Sequence, residues 1–380
     1  MPPVHRTPFA PPPYPYARLD TVRAAATRTH GEVVDLSVGS PCDPPSTSVL
    51  KALAEPDAGG ATRSYPSSAG SPAARRAAAT WMTERLGAEV DASCVALCIG
   101  TKELVAGLPS WLNLRRPDRD TVLYPALSYP TYEMGAVLAG LRPVAVPVDD
   151  EFRLRLDAVR AEDAGRALLL WANSPGNPAG QLDDLVAVAA WGREHDVLVA
   201  SDECYAEHTW AQPPSSVLSG TGGDHTGLLA LHSLSKRSNL AGLRFGWYAG
   251  DPEVVAFVRE VRQHAGFMVP GPAQRAGIVA LEDTDHAGAQ RDRYHRRLLR
   301  LRQVLDAVGV PATMPEGGIY LWARAPGGDS WAFTQMLAEK VGMIVSPGEF
   351  YGPTGDGFVR VAAVATDEAI ETLAVRAGLG

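Results

Sequence analysis

Leu228-Leu229-Ala230-Leu231-His232-Ser233-Leu234-Ser235-Lys236-Arg237-Ser238 is the stretch whose reading decides the fold. A short apolar run is followed at once by hydroxyl residues and a lysine, and Arg244 lies eight positions beyond that lysine. The apolar run reads as a buried strand. A lysine at the mouth of a sheet is desolvated, which lowers its pKa and makes it a nucleophile toward a carbonyl.

Seven such runs, at 95–99, 121–124, 141–148, 167–171, 197–201, 227–232 and 245–250, predict strands. Helical patterns with start signals lie between them, as at Asp183-Asp184 before 185–195 and Asp251-Pro252 before 253–265. The alternation predicts an α/β fold with a mostly parallel sheet covered on both faces. Beyond residue 283 the pattern changes. A long Arg/Leu helix leads to Gly317-Gly318-Ile319-Tyr320-Leu321-Trp322, a helix ending near 341, strands at 343–345 and 358–361, and a last helix capped at Thr366-Asp367-Glu368. The expected organisation is a large domain at 45–283 and a smaller α+β domain at 284–380. An N-terminal segment, 1–44, packs on the small domain or on a partner subunit.

The formal net charge of -8 argues against nucleic acid and anionic membranes as partners. The one basic stretch, 291–302, reads as a solvated helix face. No run is long and apolar enough to span a bilayer, and the proline-rich start lacks a signal-peptide core, so the expectation is a cytoplasmic protein. Cys42, Cys94, Cys98 and Cys204 read as reduced core or near-core thiols, and no histidine cluster completes a metal site.

Polar residues recur just after four of the predicted strands. They are Gly100-Thr101-Lys102, the 173–178 loop with Asn177, Asp202 with Tyr205, and Ser233 to Lys236. Ligands of open parallel sheets bind at this edge. Together the groups meet the needs of pyridoxal phosphate. Asp202 faces the ring nitrogen, and Asn177 and Tyr205 reach the ring oxygen. A helix start at Gly100 with Ser233, Ser235 and Arg244 holds the phosphate, while Tyr129 covers the ring and Lys236 forms the Schiff base.

The set Asn177-Pro178-Ala179-Gly180, Asp202-x-x-Tyr205 and Ser233-x-Ser235-Lys236 with Arg244 resembles the fold-type I, class I/II aminotransferases. Stretches such as Ile99-Gly100-Thr101-Lys102-Glu103-Leu104 and Ser201-Asp202-Glu203-Cys204-Tyr205 look like the actinobacterial N-succinyldiaminopimelate aminotransferase group. The resemblance implies a three-layer large domain with a smaller α+β domain. It also implies an enzyme moving an amino group between glutamate and a 2-oxo acid, N-succinyl-2-amino-6-oxopimelate or a related compound. It carries the cofactor roles onto Lys236, Asp202, Asn177, Tyr205, Tyr129, Gly100, Thr101, Lys102, Ser233, Ser235 and Arg244. The substrate carboxylate falls to Arg360, with Gly39 beside it and Asn177 nearby. Tyr65 matches a tyrosine that reaches the neighbouring subunit's phosphate, which implies a homodimer with shared sites.

Three departures bear on the reaction. The loop reads Ser174-Pro175-Gly176-Asn177-Pro178-Ala179-Gly180, without the usual second Ser and Thr. The N-terminal segment reads Tyr14-Pro15-Tyr16-Ala17, in the arm 9–16 that is the candidate cover for the substrate. Region 264–270 has no arginine for a second carboxylate, which disfavours aspartate. Lyase, cyclase or oxidase chemistry on the same fold, in a specialised biosynthetic pathway, stays open as an alternative. A non-catalytic regulator is disfavoured by the net charge and by the lack of a DNA-binding extension.

Overall fold

A computed structural model describes residues 9–12, 15–55, 60 and 62–380. The first strand, β1 (Val34–Asp35), stands apart from the main sheet. Each of the seven apolar runs forms a strand of one sheet. They are β2 (Val95–Cys98), β3 (Thr121–Pro125), β4 (Arg142–Val146), β5 (Ala167–Asn173), β6 (Leu198–Asp202), β7 (Leu228–Ser233) and β8 (Gly246–Gly250). Their order is β2-β8-β7-β6-β5-β3-β4. Neighbours run parallel except β8, which is antiparallel to both β2 and β7. The reason lies in the β7–β8 link. It holds only a short helix, Leu234–Arg237, and a 3-10 turn, Ala241–Leu243, with no crossover helix. The chain therefore returns at once, and Lys236 and Arg244 share one tight turn at the sheet's edge.

Side chains alternate across the strands as the pleat requires. In β7, Leu228 and Ala230 join a core with the helices Pro72–Leu86 and Gly271–Glu282. Leu229 and Leu231 join another with Thr101–Arg115 and Pro252–Ala265. Every residue of β7 is buried, which explains its unbroken apolar run. The predicted helix starts are capped by the expected side chains. Asp184 accepts from Ala187 N, and Asp251 accepts from Glu253 N and Val254 N. Each such cap is worth about 1 kcal/mol. The strand expected at 141–148 stops at Val146, because Pro147 has no N–H to extend the ladder.

Three further strands, β9 (Tyr320–Arg324), β11 (Ser346–Pro347) and β12 (Phe358–Ala362), form an antiparallel sheet in the order β11-β12-β9. Between β9 and β11 in the chain, β10 (Met343–Ile344) pairs instead with β1. The helix Thr284–Ala307 packs on this sheet through Tyr294, Leu298, Leu301 and Leu305. The helix Leu19–His30 packs Leu19 and Ala26 beside Ala338 and Ile344. In the 317–322 stretch the strand begins at Tyr320. Gly317 and Gly318 dock on the large sheet's loops, donating to Gly180 O at 2.9 Å and His208 O at 2.7 Å. No helix among the described residues is long and apolar enough to cross a membrane.

Two expectations are corrected. Residues 291–302 are not wholly a solvated face, because Arg297 is buried. It makes a bidentate pair with Asp43, at 2.6 and 2.8 Å, and a third bond to Asp367 at 2.6 Å. Cys42 is exposed rather than near the core, since it lies on the loop that Asp43 anchors. The Arg297 pair ties the 37–43 loop to the small sheet. Arg297→Ala should therefore lower stability by about 3 kcal/mol, because it removes the bidentate pair to Asp43 and the bond to Asp367 and leaves Asp43 with Gln290 as its nearest partner. Thermal unfolding checks this, and an unchanged midpoint contradicts it.

Candidate active site

The C-terminal ends of β2, β5, β6 and β7 deliver the polar residues to one edge of the sheet. At the end of β7, Ser233 caps the four-residue helix Leu234–Arg237, accepting from Ser235 N at 3.1 Å. Ser233 Oγ also donates to Ser235 Oγ at 2.8 Å. Lys236 Nζ donates to Gly39 O, so the lysine spans from the large sheet to the N-terminal loop. Burial, with the charges of Arg360 and Arg244, brings its pKa down to about 8.

Asp202 ends β6 and is buried. Its carboxylate accepts from Tyr132 O–H at 3.0 Å and Cys204 N at 3.2 Å. Among the described residues, no cation lies within ion-pair distance of it. Burial accordingly pushes its pKa up. Thr101 Oγ1 contacts Cys204 Sγ at 3.2 Å, which joins the β6 end to the start of the helix Thr101–Arg115.

Gly100 caps that helix with φ 73°. A Cβ there would lie 2.2 Å from an Arg244 nitrogen, so only glycine admits the guanidinium. Arg244 itself has φ 57° and, among the described residues, bonds only carbonyls, Ala241 O at 2.9 Å and Ile99 O at 3.1 Å. A helix N-terminus, a guanidinium without an acidic partner and two serine hydroxyls make an anion cradle. The next residue after Thr101, Lys102, is exposed, and its Nζ lies 5.9 Å from the centre of the Tyr129 ring. Tyr129 in turn meets Tyr132 edge-on at 5.9 Å.

The β5 end positions Asn177. Asn173 Nδ2 donates to Asp202 O at 2.8 Å, and Asn173 Oδ1 accepts from Asn177 N at 2.8 Å. The peptide bonds Ser174–Pro175 and Asn177–Pro178 are cis. Arg360 reaches the loop from β12, donating to Asn177 Oδ1 at 2.8 Å and to Ser37 O at 2.7 Å. Its guanidinium lies over Tyr320 at 4.1 Å and Tyr351 at 4.8 Å. It is buried without an acidic partner, and its Nε has no hydrogen bond among the described residues.

Tyr205 O–H pairs with Tyr320 O–H at 2.6 Å. Gly39 packs on the same ring, and a Cβ there would lie 2.1 Å from Tyr320 Oη. From the N-terminal arm, Tyr16 reaches Tyr351 O–H at 3.3 Å and Phe350 ring-to-edge at 5.1 Å. Pro13 and Tyr14, within the arm 9–16, lie outside the described residues.

One site thus links Lys236 to Gly39 and Gly100 to Arg244. It links Asp202 through Asn173 to Asn177, and Asn177 to Arg360. Tyr65 is not part of it, since that residue is 96% exposed. Sequence reasoning missed Tyr132, Tyr320 and Asn173, which hold Asp202, Tyr205 and Asn177. Tyr320 and Asn173 stand in stretches already singled out, but their roles, like that of Tyr132, depend on cross-element contacts.

The charges suit a particular ligand. One buried carboxylate and two guanidinium groups lack opposite charges among the described residues, and an amine of lowered pKa stands among them. They complement a ligand with a cationic ring nitrogen, a phosphate and a carboxylate, which pyridoxal phosphate and an amino acid supply together.

Comparison with known proteins agrees. The family model for aminotransferase class I and II matches residues 31–376. The transaminase OxyQ of Streptomyces rimosus, named for 4-dedimethylamino-4-oxo-anhydrotetracycline, is 42% identical over 96% of this chain and 98% of its own. A probable aminotransferase of Mycobacterium tuberculosis is 43% identical over 94% of this chain and 83% of its own. Among solved structures, a probable N-succinyldiaminopimelate aminotransferase from Thermus thermophilus superimposes with a TM-score of 0.85. It is 29% identical over 97% of this chain and 100% of its own. With its fold, its site and its relatives in accord, the chain belongs to the class I and II aminotransferases, a family of pyridoxal-phosphate-dependent enzymes.

Proposed function

We propose that the enzyme moves the amino group of glutamate to a 2-oxo acid, with N-succinyl-2-amino-6-oxopimelate as the leading acceptor. The observation carrying the reading is the set of charges without an opposite partner among the described residues, the buried Asp202 and Arg360 and the half-buried Arg244, around the amine of Lys236. When bound, pyridoxal phosphate supplies a carbonyl carbon that captures the amine and a ring that draws electrons from the substrate Cα.

The chain's own residues do the rest. Arg360 grips the substrate carboxylate bidentately, and the Tyr320 face beneath it keeps water from one side. Asn177, already bonded to Arg360, orients the guanidinium. Lys236 Nζ would serve as base toward the proton on the substrate Cα and, once protonated, as the acid that gives it back. Asp202, fixed by Tyr132, holds a proton on the ring nitrogen. The helix start at Gly100 and Thr101, with Ser233, Ser235 and Arg244, anchors the phosphate. Tyr205 and Asn177 flank the ring oxygen, Tyr129 covers the ring, and Lys102 contributes its backbone N–H to the phosphate. Tyr65 serves the partner's site in a cytoplasmic homodimer, and its exposure in the single chain is compatible with that role.

OxyQ favours a second reading, a cyclic ketone acceptor in a specialised biosynthetic pathway. Arg360 serves the donor glutamate under either reading. A panel of acceptors with glutamate separates them. The leading reading expects the succinylated oxopimelate to be aminated far faster than simple 2-oxo acids or tetracyclic ketones. Equal rates across the panel contradict the named acceptor.

Two further outcomes test the site. In cofactor-free protein, the neutral, nucleophilic form of Lys236 grows as pH rises through about 8. Labelling with pyridoxal phosphate followed by borohydride should therefore reach half its maximum near that pH, at Lys236 alone. A midpoint at the ordinary lysine value contradicts the burial argument. Arg360→Ala should lower kcat/KM for glutamate by about 100- to 1000-fold, the worth of two charge-assisted hydrogen bonds.

A further inference from the structure

The residue after the lysine, Arg237, turns away from the site into the opposite core. Its side chain is buried, and its guanidinium is fully engaged. Nε donates to Glu207, Nη1 to Ser238 Oγ at 3.0 Å and Ala280 O at 2.5 Å, and Nη2 to Leu281 O at 3.2 Å. The two carbonyls belong to the last turn of the helix Gly271–Glu282, where a cation also meets the negative end of the dipole. Glu207 is equally committed. It accepts from Trp81 Nε1 at 3.2 Å and Arg85 Nε at 2.8 Å.

The local helix offers Lys236 little support. Leu234–Arg237 is one turn, too short to hold its own register. Glu207, in contrast, lies two residues beyond Tyr205, on the turn that leaves the β6 end at Asp202. That turn is closed by Ala206 N to Glu203 O at 3.0 Å and His208 N to Tyr205 O at 2.7 Å. The Arg237–Glu207 pair therefore bolts the turn carrying Lys236 to the turn carrying Asp202 and Tyr205. It also bolts both to the helix Pro72–Leu86. The cavity beside it has a volume of about 10 Å³ and is lined by Trp81, Glu203, Glu207, His232 and Arg237. A space of this size holds one water at most, so bulk solvent does not screen the pair.

We propose that Arg237 and Glu207 are positioning residues that fix the amine of Lys236 relative to Asp202, and so set the rate of its proton transfers. The proposal rests on Lys236 being the proton carrier of the preceding section. The side chains of the pair bond Trp81, Arg85, Ser238, Ala280 and Leu281, none of them a residue of the candidate site. Its effect runs through the geometry of two short turns, where an error of about 1 Å is costly.

The test uses the full-length enzyme loaded with pyridoxal phosphate, with Arg237→Lys and Glu207→Gln as the variants. Both keep approximate size, and the lysine keeps the charge but loses the fork. We expect kcat to fall by about ten- to a hundred-fold with KM for glutamate nearly unchanged. We also expect the pH midpoint of the bound cofactor's visible absorbance to move away from the wild-type value in both variants.

Wild-type kcat with an unmoved absorbance midpoint overturns the proposal. So does a loss of kcat that merely tracks a loss of cofactor binding and of thermal midpoint, which a purely structural pair would give. If Arg237→Lys does not fold, Glu207→Gln carries the same test. The wild-type enzyme is run first for labelling at Lys236. Failure there removes the role of Lys236 itself, whereas success there with unaltered variants removes only the clamp.

Discussion

A carboxylate held out of water without a cation is an expensive arrangement, and Asp202 is in that position. Two hydrogen bonds, from Tyr132 and Cys204, hold it in place but do not neutralise it. The fold keeps it at the end of a strand buried from Val199 to Asp202, and under the proposed function the ligand supplies the missing charge. Arg244 and Arg360 repeat the pattern with the opposite sign. Much of the remaining architecture keeps these three groups fixed while they are unpaired. Gly100 gives the Arg244 guanidinium room, Tyr320 and Tyr351 wall in Arg360, and Asn173 and Asn177 chain Asp202 to Arg360.

The tight return between β7 and β8 makes the arrangement possible. A parallel successor to β7 would have needed a long crossover and would have carried Arg244 away from Lys236. The antiparallel β8 brings Lys236 and Arg244 into one short link. The smaller sheet has a matching task. Its strand β12 brings Arg360 to the 173–180 loop, and Gly317 and Gly318 dock beside that loop through backbone hydrogen bonds. Arg297, buried against Asp43, ties the Gly39 loop to the helix Thr284–Ala307 that packs on the same small sheet.

Much of this was legible in the sequence. All seven strands of the large sheet follow from short β-branched or apolar runs, and in β7 burial on both faces removes polar alternation altogether. The caps at Asp184, Asp251 and Thr366 are local signals and read correctly. What the sequence withheld was mostly non-local. The pairing of β1 with β10 involves two residues from each strand, too few for a period. Arg297 resembles its solvated neighbours until Asp43 is brought across from 254 positions away. Tyr132, Tyr320 and Arg237 looked like filler of motifs whose other members carry the chemistry. Each acts through a partner far along the chain.

The central claim is that three unpaired charges stand opposite three ligand groups. A crystal structure of the enzyme loaded with pyridoxal phosphate and a non-reacting glutamate analogue tests it most directly. The account predicts Asp202 within hydrogen-bond distance of the ring nitrogen, Arg244 on the phosphate and Arg360 paired bidentately with the analogue's carboxylate. A cofactor bound with its ring nitrogen away from Asp202, or a carboxylate held by a residue other than Arg360, would contradict it.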